Sequence, residues 1–126
     1  LNHPELYVRS DSAVLYLSKN HIQIVSIILK NVIPNLEPYL VDEIPMFTKQ
    51  LFKGVSYAED PGKGQSFGMS RSSTIATALV DAFQQEKNTK QTFDTVVNSL
   101  LRKGMTLNRL YLNKHTALTP TFPTYE

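Results

Sequence analysis

The 126-residue sequence contains no cysteine, no tryptophan and only three histidines. The absence of cysteine excludes disulfide bonds, thiol nucleophiles, iron–sulfur clusters and cysteine-ligated zinc. The three histidines, His3, His21 and His115, are not spaced as metal ligands from one another or from a carboxylate. We therefore expect neither a metal ion nor another cofactor.

Long apolar runs and a large charge excess are also missing. The most apolar stretch, 22–29, is interrupted by Gln23 and Ser26 and is far shorter than the roughly 18 apolar residues of a membrane-spanning helix. Thirteen Lys and Arg against eleven Asp and Glu give a net charge of +2, too small to predict nucleic-acid binding through bulk electrostatics. Basic and aromatic residues are also not interleaved for base stacking. We expect a soluble chain with no membrane and no nucleic-acid partner.

The pattern of apolar residues predicts an α+β fold in which a small, mostly antiparallel sheet packs against about three helices. β-Branched and aromatic residues in Glu5–Leu17 and the alternation in Met46–Ala58 each predict a pair of short strands. Helical spacing predicts helices that begin near His21, Ser70 and Thr92.

Single residues predict where these helices begin and end. Asn20 is placed to cap the first helix, and Pro34 to bend or end it. Ser70 or Ser72 is placed to cap the second helix, and Gly104 to end the third. We expect residues 114–126 to form an extended tail.

The segment 59–68, EDPGKGQSFG, contains three glycines and a proline and leads into the second helix. A glycine-rich loop before a helix exposes backbone N–H groups beside the positive end of the helix dipole, which attracts anions. Lys63, Ser66 and Arg71 add side-chain donors to this junction. The segment matches neither the phosphate loop of nucleotide hydrolases nor the dinucleotide fingerprint. The alternative is a flexible loop whose serines cap the helix.

Two residues suit acid–base chemistry, and each also has a structural interpretation. Lys49 shares a strand face with Phe47 and Leu51, so it either lines a pocket as a base or lies on an edge strand. Glu59 stands beside Asp60, where the two carboxylates either act on a substrate or form a turn with the following proline.

Further charges lie towards the two ends of the chain. Arg9 and Asp11 are two residues apart in an extended segment, which favours a surface ion pair. Residues 95–125 contain four basic residues and no acidic ones, which predicts a basic face that is either solvated or recruits a peptide or phosphate. These basic residues are Arg102, Lys103, Arg109 and Lys114.

Three blocks in this order carry a family resemblance: YVRSDSAVLYL at 7–17, PMFTKQLFKGVSYAEDPGKGQSFGMSR at 45–71, and LNRLYLN at 107–113. They resemble the C-terminal half of the Hrp outer protein A (HopA-type) type III effector family. The resemblance implies a HopA-like C-terminal domain over residues 1–113. Because the family members are longer and the chain opens with Leu1, we interpret it as a fragment of a longer protein. The family includes effectors delivered into host cells and relatives encoded in lanthipeptide and thioamitide gene clusters.

The resemblance implies two different functions. The biosynthetic relatives act with a kinase-like partner as lyases that eliminate phosphate from phosphoserine or phosphothreonine in a peptide, which is carbon–oxygen lyase chemistry in the bacterial cytoplasm. In that function Lys49 is the first candidate base and Glu59 the second, and the phosphate-binding candidates are Arg9, Lys63, Ser66 and Arg71. Family members commonly carry His at the position of Ser70 and Cys at that of Ser72. The alternative is a non-catalytic effector or protein-interaction module acting in a host cell.

Overall fold

The computed structural model describes residues 3–9, 11–62, 64–114 and 116. In these residues the chain forms three α-helices and two β-strands: α1 (Ile22–Leu36), β1 (Lys49–Phe52), β2 (Val55–Tyr57), α2 (Phe67–Gln84) and α3 (Thr89–Arg102). The two strands pair as an antiparallel sheet. The predicted α+β class is confirmed, with a smaller sheet than expected. In the described part of the chain, no helix is long and apolar enough to cross a membrane.

The chain divides into two compact units. Unit 1 consists of Leu1–Pro45, Gln50–Ser56 and Leu118–Glu126, and unit 2 consists of Met46–Lys49 and Tyr57–Ala117. Helix α1 belongs to unit 1, whereas α2 and α3 belong to unit 2.

The strand prediction for Glu5–Leu17 is wrong. A 3₁₀ turn covers Pro4–Leu6, and the residues from 13 to 17 have no regular structure. Strand propensity mostly reflects the packing of side chains on a half-buried pleated surface. The side chains of Val14, Leu15 and Tyr16 are exposed, so the packing that would favour a strand is missing there.

Helix α1 departs from the prediction at both ends. The Ser18 hydroxyl, not Asn20, supplies the cap: it accepts a hydrogen bond from the backbone N–H of Asn20 at 3.4 Å, in a 3₁₀ turn that leads into the helix. Pro34 does not end α1, which continues to Leu36. A proline removes one backbone N–H donor, and in the last helical turn that loss leaves the rest of the helix intact.

The strand prediction for Met46–Ala58 is confirmed as the β1–β2 hairpin, whose turn is Lys53 and Gly54. Gly54 has φ +62°, a left-handed conformation that side chains disfavour. A Cβ atom at this position would also overlap the backbone carbonyl oxygen of Val41. The turn therefore requires glycine for two separate reasons.

Helix α2 begins earlier than predicted. Ser66 is its N-cap, and the Ser66 hydroxyl accepts a hydrogen bond from the backbone N–H of Met69 at 3.2 Å. The predicted caps Ser70 and Ser72 lie inside the helix. Because a cap acts at the first residue that can reach the unpaired N–H groups, Ser66 takes the role as soon as the glycine-rich loop ends.

Both ends of α3 are fixed by local hydrogen bonds. At its start, the side chains of Asn88 and Gln91 each accept a hydrogen bond from the other's backbone N–H, which is a capping box. At its end, Gly104 has φ +76° and donates to Leu101, and Met105 donates to Leu100, a Schellman motif. The predicted stop at Gly104 is confirmed.

The core of unit 2 lies where α3 meets the chain that follows it. Leu100, Met105 and Leu110 form a buried cluster, and partly buried side chains pack against it: Phe47, Ile75 and Val96. Helix α2 packs against α3, and its residues Ala78 and Ala82 are buried. The chain after α3 is therefore part of the core.

Replacing glycine by alanine at two positions tests the Gly54 turn. Gly62 also has a positive φ of +69°, but no atom lies within 4 Å of a Cβ built there. We expect Gly62→Ala to lower the free energy of unfolding by about 1–2 kcal/mol through backbone strain alone. Gly54→Ala should cost more, because the Val41 carbonyl must also move. Urea denaturation of both variants measures the difference, and equal losses would contradict the proposed steric constraint.

Candidate functional site

The structure separates the residues that the sequence assigned to one site. Arg9 lies in unit 1, whereas Lys49, Glu59, Ser66 and Arg71 lie in unit 2. Lys63 lies outside the described residues.

Arg9 forms the expected surface ion pair with Asp11. Its Nε and Nη2 atoms donate to the two carboxylate oxygens of Asp11, both at 2.7 Å, and both side chains are largely exposed. The hydrogen bond from Arg9 holds the pKa of Asp11 below its ordinary value. An anion at Arg9 would compete with this bidentate pair.

Arg71, on α2, is buried with 2% of its surface exposed, and it binds the chain that follows α3. Its Nε donates to the carbonyl of Leu110 at 3.0 Å, and its Nη2 donates to the carbonyl of Leu112 and to Asn113 Oδ1, each at 2.9 Å. We call residues 110–113 the closing segment. Arg71 thus fixes both the backbone and a side chain of the closing segment.

The rest of the Arg71 guanidinium is also in contact with protein groups. Its Nη1 donates to the Ser70 hydroxyl at 3.2 Å, and its central carbon lies 4.6 Å from the centroid of the Phe67 ring. Burial lowers the pKa of Arg71, and the negative charge of Glu59 acts in the opposite direction.

Glu59 binds the closing segment from a second direction. It is 3% exposed, and its Oε2 accepts hydrogen bonds from the backbone N–H of Asn113 and the hydroxyl of Thr116, both at 2.6 Å. The backbone N–H of Glu59 donates to the carbonyl of Tyr111 at 2.8 Å.

Asn113 joins these two sets of contacts. Its backbone donates to Glu59, its side-chain oxygen accepts from Arg71, and its side-chain Nδ2 donates to the backbone carbonyl of Asp60 at 2.6 Å. Charged hydrogen bonds of this kind are stronger than neutral ones. The closing segment is consequently held by one buried cation and one buried anion.

Two tyrosines connect Lys49 to the same cluster. The Tyr57 and Tyr111 rings meet edge to face, with centroids 6.4 Å apart, and Lys49 Nζ lies 5.5 Å from the Tyr111 centroid. Burial, with the charge and hydrogen bonding of Glu59, raises the pKa of Tyr57 to about 12. Lys49 itself is exposed, and it begins β1 of a two-stranded sheet, which is an edge position.

The loop before α2 uses its polar groups locally where it is described. Asp60 Oδ1 accepts from the backbone N–H of Gly62 at 2.7 Å, as in the turn that the sequence offered as an alternative, and Ser66 caps α2. Among the described residues, no three His, Asp or Glu side chains are grouped to hold a metal ion. The loop geometry matches the capping interpretation of its serine.

Sequence reasoning missed Tyr57, Tyr111, Asn113 and Thr116 as members of the cluster. The closing segment did carry a signal, because Leu110 and Leu112 alternate with Tyr111 and Asn113, and such alternation indicates one buried and one polar face. The partners of the polar face could not be read from that alternation.

Comparison with protein families identifies the chain. Residues 1–112 match the model of the HopA1 effector protein family. The chain therefore belongs to the HopA1 effector protein family, as its sequence blocks suggested. Searches among curated proteins and among solved structures find no match.

Substituting Arg71 tests whether it stabilises the closing segment. Lysine keeps the charge but cannot bond two carbonyls from one planar fork. We expect Arg71→Lys to lower the free energy of unfolding by about 2–4 kcal/mol, because it leaves buried carbonyls unsatisfied. Arg102→Lys, at an exposed position in the last turn of α3, is the matched control and should change stability by less than about 0.5 kcal/mol. Equal effects in denaturant titrations would refute the role of Arg71.

The raised pKa of Tyr57 predicts a loss of stability in alkali. From the ordinary value of 10.0 to about 12, the unfolded chain loses this proton while the folded chain keeps it, so the free energy of unfolding falls as the pH rises. Unfolding measured at pH about 9 and about 11 should show a steeper fall for the unmodified chain than for Tyr57→Phe. Tyr39→Phe, at an 85% exposed position, is the control and should behave like the unmodified chain. The same slope in Tyr57→Phe would contradict the assignment.

Proposed function

We propose that this member of the HopA1 effector protein family acts by binding a protein partner and not by catalysis. The observation that carries the proposal is the engagement of Glu59 and Arg71, the two buried charged residues of unit 2, with the closing segment. Both residues then have a structural role that does not require a substrate.

The energetics of the cluster support this proposal. To bind a phosphate, Arg71 would have to release the carbonyls of Leu110 and Leu112, and each buried carbonyl left without a donor costs about 1–3 kcal/mol. To act as a base, Glu59 would have to give up charged hydrogen bonds to Asn113 and Thr116. Either reaction would loosen the closing segment.

The basic residues that follow Thr95 indicate the kind of partner. No acidic residue occurs from 95 to 114, and Arg102 and Lys114 are exposed, while Lys103 Nζ donates to the buried Thr74 hydroxyl at 3.0 Å. Exposed charge of one sign favours encounter with a surface of the opposite sign. The proposed partner is a host protein that presents acidic side chains.

A second candidate function is elimination of phosphate from phosphoserine or phosphothreonine, and the position of Lys49 favours it. The exposed Lys49 ammonium lies over the Tyr111 ring, beside the cluster that contains Glu59 and Arg71. In this reaction the Lys49 amine, in its neutral form, would remove the α-proton, the C–H electron pair would form the carbon–carbon double bond, and phosphate would leave with the electrons of the C–O bond.

The remaining roles in this second function follow the family resemblance. Glu59 would be the alternative base, and the candidates for holding the phosphate are Arg9, Lys63, Ser66 and Arg71. A kinase-like partner would supply the phosphorylated peptide.

One experiment separates the two functions. The probe is a Glu-rich peptide with a single phosphoserine, binding is measured by calorimetry, and phosphate loss is measured by mass spectrometry. We expect saturable binding, no phosphate loss, and several-fold weaker binding by Arg102→Glu, most clearly at low salt. Lys90→Glu, an exposed site at the other end of α3, is the matched control and should bind normally.

Two results would overturn the binding proposal. One is the absence of saturable binding by the unmodified chain. The other is phosphate loss that disappears in Lys49→Ala but persists in Lys53→Ala, an exposed lysine in the hairpin turn. The second result would establish the lyase function.

A further inference from the structure

A small open cavity of about 130 Å³ lies in unit 2, away from the residues that the sequence assigned to chemistry. Its lining comes from the chain after α3: Gly104, Thr106, Arg109, Leu112, Asn113 and Thr116. A cavity of this size exceeds the space of a single water molecule and is lined mainly by polar groups, so it suits a small polar ligand.

Arg109 gives the cavity a positive charge. Its guanidinium carries five N–H donors in a planar fork, the arrangement that best matches phosphate and carboxylate oxygens. The half-buried position of Arg109 limits the screening of its charge by water. Its backbone is fixed by hydrogen bonds on both sides: the Arg109 N–H donates to the carbonyl of Thr106, and the Arg109 carbonyl accepts from the N–H of Leu112, each at 3.0 Å.

A second cation lies at the rim of the cavity. Gly104 lines the cavity, and a Cβ atom built on Gly104 would overlap the side chain of Lys114, so the Lys114 methylene groups lie against this glycine. Lys114 is exposed, which allows its ammonium group to reach towards the mouth of the cavity. The hydroxyl of Thr106 adds a donor from the lining.

The opposite wall contains compensated charges. Asn113 and Thr116 both donate hydrogen bonds to Glu59, which places a carboxylate behind them. Asn113 also accepts from Arg71, whose positive charge interacts favourably with Glu59. Because these two charges offset each other, Arg109 and Lys114 determine the sign of the potential inside the cavity.

We propose that this cavity binds a phosphate group, with Arg109 as the principal ligand, Thr106 as a hydrogen-bond donor and Lys114 as a second positive charge. The shared chemistry is that of a tetrahedral oxyanion, whether it is free phosphate or a phosphate ester on a peptide. The proposal does not rest on the partner-binding function, because inorganic phosphate alone suffices to test it.

The experiment titrates the whole chain with inorganic phosphate and follows binding by calorimetry and by the rise in melting temperature. We expect saturable binding that Arg109→Gln weakens about tenfold or more, the loss expected for a charged hydrogen-bonding partner. Thr106→Val should weaken binding by a smaller factor. Arg102→Gln, an equal change of charge outside the cavity lining, is the matched control and should leave the affinity unchanged.

Several outcomes would overturn the proposal: no saturable phosphate binding, the same affinity in Arg109→Gln, or an equal loss in Arg102→Gln, which would indicate general attraction to the basic face. If Arg109→Gln fails to fold, Thr106→Val decides, and an unchanged affinity in that variant overturns the proposal. A phosphoserine peptide and inorganic phosphate are then compared. Tighter binding of the peptide identifies an ester as the source, and equal affinity identifies the free anion.

Discussion

The buried guanidinium of Arg71 is the interaction on which unit 2 depends. It reaches from α2 to two carbonyls and one side chain of the closing segment, while Glu59 holds Asn113 of the same segment from the other side. Leu110, at one end of that segment, belongs to the hydrophobic cluster with Leu100 and Met105. Polar and apolar contacts therefore fix the same four residues, and a change at either charge would disturb the packing after α3.

The sequence predicted those elements that local chemistry determines. Helix α3 was recognised because its apolar spacing and Gly104 act over a few residues, and the β1–β2 hairpin follows from alternation around Gly54. The strands predicted in Glu5–Leu17 failed because strand formation depends on packing partners elsewhere in the fold. Pro34 misled for a different reason, since its cost depends on how close it lies to the helix end.

The candidate site was predicted by residue type but not by role. Lys49, Glu59, Ser66 and Arg71 do occur in one unit, and Lys49 contacts the same tyrosine whose backbone carbonyl accepts from Glu59. What the sequence could not supply was the position of the closing segment, which lies about 40 to 55 residues further along the chain. Without it, a buried structural arginine has the same appearance as a phosphate ligand, because both functions need a rigid, charged donor.

The wide separation between the buried charges and their partners also has a consequence for the order of folding. Helices α2 and α3 are neighbours in sequence and can pack as soon as Arg102 has been synthesised, whereas Glu59 and Arg71 meet their partners only after Asn113 has emerged. Contacts between distant residues form late, because the entropy of closing the intervening loop must first be overcome. During synthesis the two charges therefore remain hydrated, and their burial marks the last step in the assembly of unit 2.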